Sequence, residues 1–194
     1  MPLHTGFITE TLGTFEGAAK CRGYVPAHAG KALGNSGVTI GTGVDLGQHT
    51  AEGLAAMRVP HSVIGLLVPY LGLQKEAAQK RLKTLPLILS PESVHALDQA
   101  VTKHFIDTVE RIFDHRAARC GASFFADRPR QVQAVAVSLC YQLGPKGCPR
   151  TLDLLAQGRY ADASQELENS AAWGHRYMAR RRAEAALIRQ VCQP

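Results

Sequence analysis

Between Gly34 and Gly47 the chain reads GNSGVTIGTGVDLG, fourteen residues that hold five glycines and one acidic side chain, Asp45. Glycine supplies the positive φ that tight turns demand, so this composition predicts short strands joined by tight turns. The pattern extends back to about residue 17, with further glycines at 23 and 30 and short apolar pieces at Tyr24-Val25 and Val38-Ile40. A small sheet of short strands is the expectation for this region.

The flanks read as helix. In TGFITETLGTFE, residues 5 to 16, Ile8, Leu12 and Phe15 recur at the spacing of one buried helical face, and Gly17 ends the run. After Thr50 several short helical patterns are interrupted by Pro60 and Pro69. Ser90-Pro91-Glu92 is a helix start, because Ser caps, Pro is tolerated in the first turn and Glu complements the positive end of the dipole. That helix should run to about Arg116 and bury Val94, Leu97, Val101, Phe105, Thr108 and Ile112. Another covers 129–143, with Val132, Val135, Ala136, Leu139 and Leu143 inward and Gly144-Pro145 as its stop. Helices near 151–157, 160–170 and 175–191 complete the chain. The class is α+β within one domain of residues 1–194, with a sheet-bearing lobe of about 1–50 and a helical lobe of about 51–194.

Composition excludes several functions. No stretch approaches the roughly 18 apolar residues of a membrane span, and MPLHTGFITETLG lacks the basic and apolar parts of a signal peptide. The expectation is synthesis in the cytoplasm without an export signal. Cys21, Cys120, Cys140, Cys148 and Cys192 show no CxxC spacing and read as reduced small hydrophobes. The net charge of +6 favours a polyanionic partner such as nucleic acid, anionic lipid or a bacterial wall.

Three residues carry candidate chemistry. Glu16 closes the first helix, where the negative pole of the dipole and an apolar neighbour both favour a protonated carboxyl, the form a general acid needs. Asp45 lies among unencumbered backbone amides, which favour an ionised carboxylate able to act as a base toward water. Thr39, six residues earlier, offers a hydroxyl that could hold that water. Taken singly, each has a plainer explanation: a solvated helix end, an Asx-type turn and a strand threonine. Together, two carboxylates in contrasting settings are the equipment of glycoside hydrolysis.

The order FEG followed by VTIGTGVDLG resembles the pesticin-type muramidases, relatives of the T-even phage lysozyme fold. In that group the catalytic glutamate precedes the threonine by 23 residues and the aspartate follows it by six, the spacings at which Glu16, Thr39 and Asp45 stand. Phage lysozymes share the TIG-x-G core but place their aspartate before the threonine. No Asp or Glu occurs between Glu16 and Asp45, so the pesticin-like arrangement is the one that fits. QVQAVAVSLCYQLG, TLDLLAQGRYADASQEL, Trp173 and RYMARRRAEAALI resemble the later helices of that fold, whereas about 51–125 shows no match. The resemblance implies a cleft between the lobes, with Tyr141 and Thr151 as substrate-binding residues on its helical side.

Other readings remain open on the residues. The glycine segment lacks GxxxxGK[ST], so it is no phosphate loop of that kind. Histidines and cysteines show no metal-ligand spacing, and His95, His104 and His115 read as one solvated flank of a helix. Arg176, Tyr177 and Arg180 to Arg182 read as a solvated helix face rather than a nucleic-acid surface. The expected function is a muramidase cleaving the β-1,4 bond between N-acetylmuramic acid and N-acetylglucosamine in peptidoglycan. A lytic transglycosylase, a chitinase-like glycosidase, and a non-catalytic wall- or nucleic-acid-binding protein are the alternatives. No metal or cofactor is expected, nor a nucleic-acid partner. The expected partners are peptidoglycan strands and an immunity protein or delivery machinery, with the chain itself a monomer that reaches the periplasm through a phage holin or dedicated secretion.

Overall fold

The computed structural model describes residues 3–144, 146–173 and 177–192. The chain divides into two compact units, one spanning Glu16–His104 and the other made of the residues up to Phe15 together with those from Phe105 onward. The lobe boundary expected near residue 50 therefore falls at 104, and the first helix groups with the last ones.

In the Glu16–His104 unit the glycine-rich region forms β1 (Lys20–Tyr24), β2 (Ala27–His28), β3 (Lys31–Ala32), β4 (Thr39–Gly41) and β5 (Val44–Asp45). A three-stranded antiparallel sheet has the order β1-β4-β5, and β2 pairs with β3 in a separate ribbon. Thr39 stands opposite Asp45, and Ile40 opposite Val44. Ile40 and Val44 are buried, as are Val38 and Leu46 on either side of the hairpin.

Helices α2 (Ala51–Ala56), α3 (His61–Leu67) and α4 (Lys75–Thr84) follow, with Pro60 immediately before α3 and Pro69 inside a 3-10 turn at Val68–Tyr70. Backbone hydrogen bonds tie this stretch to the sheet. Gly23 N donates to Leu87 O at 2.9 Å and Leu89 N to Cys21 O at 2.9 Å, so residues 87–89 extend the edge of β1. Gly72 N donates to Leu46 O at 3.0 Å and Lys75 N to Ser36 O at 2.9 Å.

Helix α5 (Pro91–Arg119) starts as its sequence predicts, with Ser93 N donating to Ser90 Oγ at 3.2 Å. Its buried stripe differs from the expected one. Val94, Leu97 and Val101 are buried, but Phe105, Thr108 and Ile112 are only half-buried, and Ile106, Val109, Phe113 and Ala117 take their place. The inward face shifts by one residue where the helix passes from one unit to the other, because each half serves a different core.

The second unit holds α1 (Thr5–Glu16) up to Phe15, the later half of α5, then α6 (Arg130–Leu143), α7 (Pro149–Ala156), α8 (Tyr160–Glu168), α9 (Ser170–Trp173) and α10 (Met178–Cys192). Residues 132–140 of α6 are all buried, so burial runs all round the helix and beyond the expected inward set, whereas Leu143 is only half-buried. Gly144, at φ 70°, ends it by donating to Cys140 O at 2.8 Å; Pro145, the other half of the expected stop, lies outside the described residues. So do 174–176, which include the expected start of the last helix at 175 and Arg176.

Arg181 departs from the expected solvated face. It is fully buried, with Nη1 2.9 Å from Glu184 Oε2 and Nη2 donating to Gln142 Oε1. Glu184 Oε1 in turn accepts from Ser138 Oγ at 2.5 Å and Arg180 Nε at 3.3 Å. Periodicity could not separate this arginine from exposed Arg182. Of the three histidines read as a solvated flank, His95 and His115 are exposed but His104 is half-buried. All five cysteines are free thiols. Among the described residues no helix is long and apolar enough to cross a membrane, and no cluster of His, Cys, Asp and Glu could hold a metal ion.

Candidate active site

Two carboxylates and a hydroxyl meet at the β4–β5 hairpin. Asp45 ends β5 and begins a 3-10 turn at Leu46–Gln48. Its Oδ1 accepts from Gly47 N at 2.9 Å and Gly37 N at 2.9 Å. Glycine is needed at both donors because the backbones touch. A Cβ on Gly37 would lie 2.5 Å from Gly47 Cα, and one on Gly47 2.7 Å from Leu73 O. The glycines therefore allow two amides to converge on one oxygen, and Oδ2 accepts no hydrogen bond from the described residues.

Thr39 is the direct antiparallel partner of Asp45, so their side chains share one face of the ladder while Ile40 and Val44 take the other. Thr39 is 4% exposed, and its hydroxyl makes a long 3.5 Å hydrogen bond to Gly37 O. Glu16 is half-buried at the end of α1, beyond which Gly17 turns away at φ 83°. Its Oε2 lies 3.4 Å from where a Cβ on Gly43 would stand, so the carboxylate rests against the hairpin turn.

Two further side chains lie beside these groups, and sequence reasoning missed both. His49, four residues after Asp45, is half-buried. Burial pushes its imidazole below the ordinary value, His104 acts in the same direction, and Asp45 opposes them. Its closeness to Asp45 in sequence was the available signal. Asp98, on α5, accepts the Thr42 N–H with Oδ1 at 3.1 Å and Oδ2 at 3.2 Å. Gly41 is at φ 62°, and any Cβ there would collide with Asp98 Oδ1. Burial raises the Asp98 carboxyl above its usual value, opposed by its hydrogen bonds to Thr42 and by His95. With 56 residues between Asp98 and Thr42, no local pattern announces the contact.

Glu16, Thr39, Asp45, His49 and Asp98 all lie in the Glu16–His104 unit, whereas Tyr141 and Thr151 lie in the other. The Tyr141 ring packs on Phe105 at 4.9 Å between centroids. Thr151 is 1% exposed and its hydroxyl has no partner among the described residues, so it has almost no surface to offer a sugar here.

An acid-bearing group set against a hairpin that also carries a hydroxyl–carboxylate pair can protonate a leaving oxygen and direct water. A search of curated proteins finds none that matches the chain. Residues 3–161 match the family described as "Pesticin: Bacterial toxin homologue of phage lysozyme, C-term". The match covers both the hairpin and the helix that ends in Glu16, and with it the spacings that first suggested the family. The chain belongs to the pesticin family, and is a lysozyme-type glycosidase of that lineage.

Proposed function

We propose that this protein is an N-acetylmuramidase that hydrolyses the β-1,4 bond between N-acetylmuramic acid and N-acetylglucosamine in bacterial peptidoglycan. The observation that carries the reading is the Glu16 carboxylate lying against the turn of the hairpin that holds the Thr39–Asp45 pair. Glu16 is the general acid that protonates the glycosidic oxygen as the bond breaks. Asp45 takes a proton from the attacking water, and the Thr39 hydroxyl holds that water. With Oδ1 committed to Gly37 and Gly47, Oδ2 is the oxygen that acts as the base.

A held water implies inversion, with the new muramic acid end released as the α-anomer. The same Asp45 favours hydrolysis over transglycosylation, since a transglycosylase closes the sugar on itself and has no water to activate. The net charge of +6 assists approach to an anionic wall, and salt weakens that attraction. Access to the wall through a holin or a secretion machine, and an immunity partner that blocks the hairpin, belong to the same proposal.

The test is mass analysis of reduced muropeptides released from purified sacculi. Reducible muramic acid ends are expected, and anhydro ends would mean a transglycosylase instead. Glu16→Gln keeps size and hydrogen bonding but carries no transferable proton. Release should fall at least about 100-fold in that variant, at the lower end of what a positioned acid contributes. Substantial release by a folded Glu16→Gln sample overturns the assignment.

A further inference from the structure

We propose that Asp98 is a positioning residue of this glycosidase site: its carboxylate anchors the Gly41–Gly43 turn through the Thr42 N–H, and the turn sets where the Glu16 carboxylate stands. The inference rests on the muramidase reading for its catalytic consequence, but its geometry is independent of that reading.

The hairpin needs such an anchor. Strands β4 and β5 are three and two residues long and share only two paired positions. Their turn contains two left-handed glycines, Gly41 at φ 62° and Gly43 at φ 97°. Glycine restricts φ and ψ least of all residues, so the turn does not hold itself in place. Asp98 holds it from outside the sheet, with both oxygens on a single amide at 3.1 and 3.2 Å. A hydrogen bond to an ionised carboxylate is stronger than a neutral one. The support behind Asp98 is firm, because its helix is fixed by buried Val94, Leu97 and Val101. Gly41 completes the fit, since a side chain there would occupy the space of the Asp98 carboxylate.

The link to chemistry is the next residue along. Thr42 receives the anchor, and Gly43 meets Glu16 Oε2 with room for no more than a 3.4 Å contact to an added Cβ. Loss of the Asp98 contact removes one hold on Thr42, so Gly43 can shift, and with it the surface against which the Glu16 carboxylate rests. A catalytic group displaced by about 1 Å can lose roughly 100-fold in rate.

The experiment compares Asp98→Ala and Asp98→Asn in the full chain, on soluble peptidoglycan glycan fragments. Asp98→Ala removes the acceptor, so kcat should fall about 10- to 100-fold with KM changed less than about threefold. Asp98→Asn keeps an oxygen facing Thr42 and should retain at least about a third of kcat. In parallel, NMR should show the Thr42 and Gly43 amides and the Glu16 carboxyl carbon shifted in Asp98→Ala, with the Glu16 carbon nearly unmoved in Asp98→Asn.

Unchanged kcat in Asp98→Ala, with only a lower Tm, overturns the proposal. Loss of activity in folded Asp98→Asn equal to that in Asp98→Ala also overturns it, because charge rather than position would then be the requirement. If Asp98→Ala does not fold, Asp98→Glu replaces it: the extra methylene pushes the carboxylate into the turn, so a fall in kcat supports positioning and full activity refutes it. If the unmodified protein releases no muropeptides, the muramidase reading fails. The Glu16 carbon still decides the positioning claim, which stands if that carbon moves in Asp98→Ala and falls if it does not.

Discussion

His49 shows how much the setting of one side chain can report about its neighbours. Burial favours its neutral form, His104 adds to that preference, and Asp45 opposes it. The folded protein therefore binds fewer protons at this site than the unfolded chain just below pH 6.5. The stability it contributes is complete above 6.5 and is lost as pH falls through the folded value. An NMR titration of the His49 Cε1–H should give a midpoint below 6.5, and Asp45→Asn should lower it further by removing the one opposing charge. An unmoved midpoint in the variant would separate His49 from the Asp45 carboxylate. Neither His49 nor Asp98 stands out in the sequence, whereas the spacing of Glu16, Thr39 and Asp45 marks them as candidates. The legible residues carry their meaning in spacing and in adjacent glycine, while Asp98 reaches its partner across 56 residues through folding alone.

At the scale of elements, periodicity found most of the helices but not what their faces meet. The first helix is Thr5–Glu16 where the sequence places 5–16, because its apolar spacing and its glycine stop coincide, although Phe15 is only half-buried and Thr11 joins Ile8 and Leu12 on the buried face. The apolar spacing on α5 matches the buried face at Val94, Leu97 and Val101 but not beyond, where a second core takes Ile106, Val109 and Phe113. On α10 the buried ion pair of Arg181 and Glu184 looked like surface charge, since a polar residue carries no sign of its partner. Burial raises the Glu184 carboxyl above its usual value, and Arg181, Ser138 and Arg180 oppose the shift. Glu184→Ala leaves the Arg181 guanidinium buried beside no carboxylate, and unfolding in urea should show a loss of about 3–5 kcal/mol. Glu184→Gln, which keeps an acceptor for Ser138, should lose less. Equal and small losses in both variants would show that the pair contributes little.

The whole molecule is α+β, as its sequence indicates, and the chain that bonds to the sheet reaches well past residue 50, because segment 87–89 pairs with β1 through backbone groups that composition does not reveal. Its two units differ in how the chain supplies them. One is the single run Glu16–His104, and the other is assembled from both flanks of that run. Connectivity of this kind imposes an order in time. A contiguous stretch closes short loops, which cost the least entropy and form fastest. The other unit needs contacts such as His4 N with Gln133 Oε1, separated by 129 residues. Pulse-labelled hydrogen exchange during refolding should therefore protect the amides of β4 and β5 before those of α6 and α10, and simultaneous protection would mean that the units fold as one. During synthesis the same order holds: the whole Glu16–His104 run leaves the ribosome ahead of α6 to α10, while the first helix waits for partners whose codons have yet to be read.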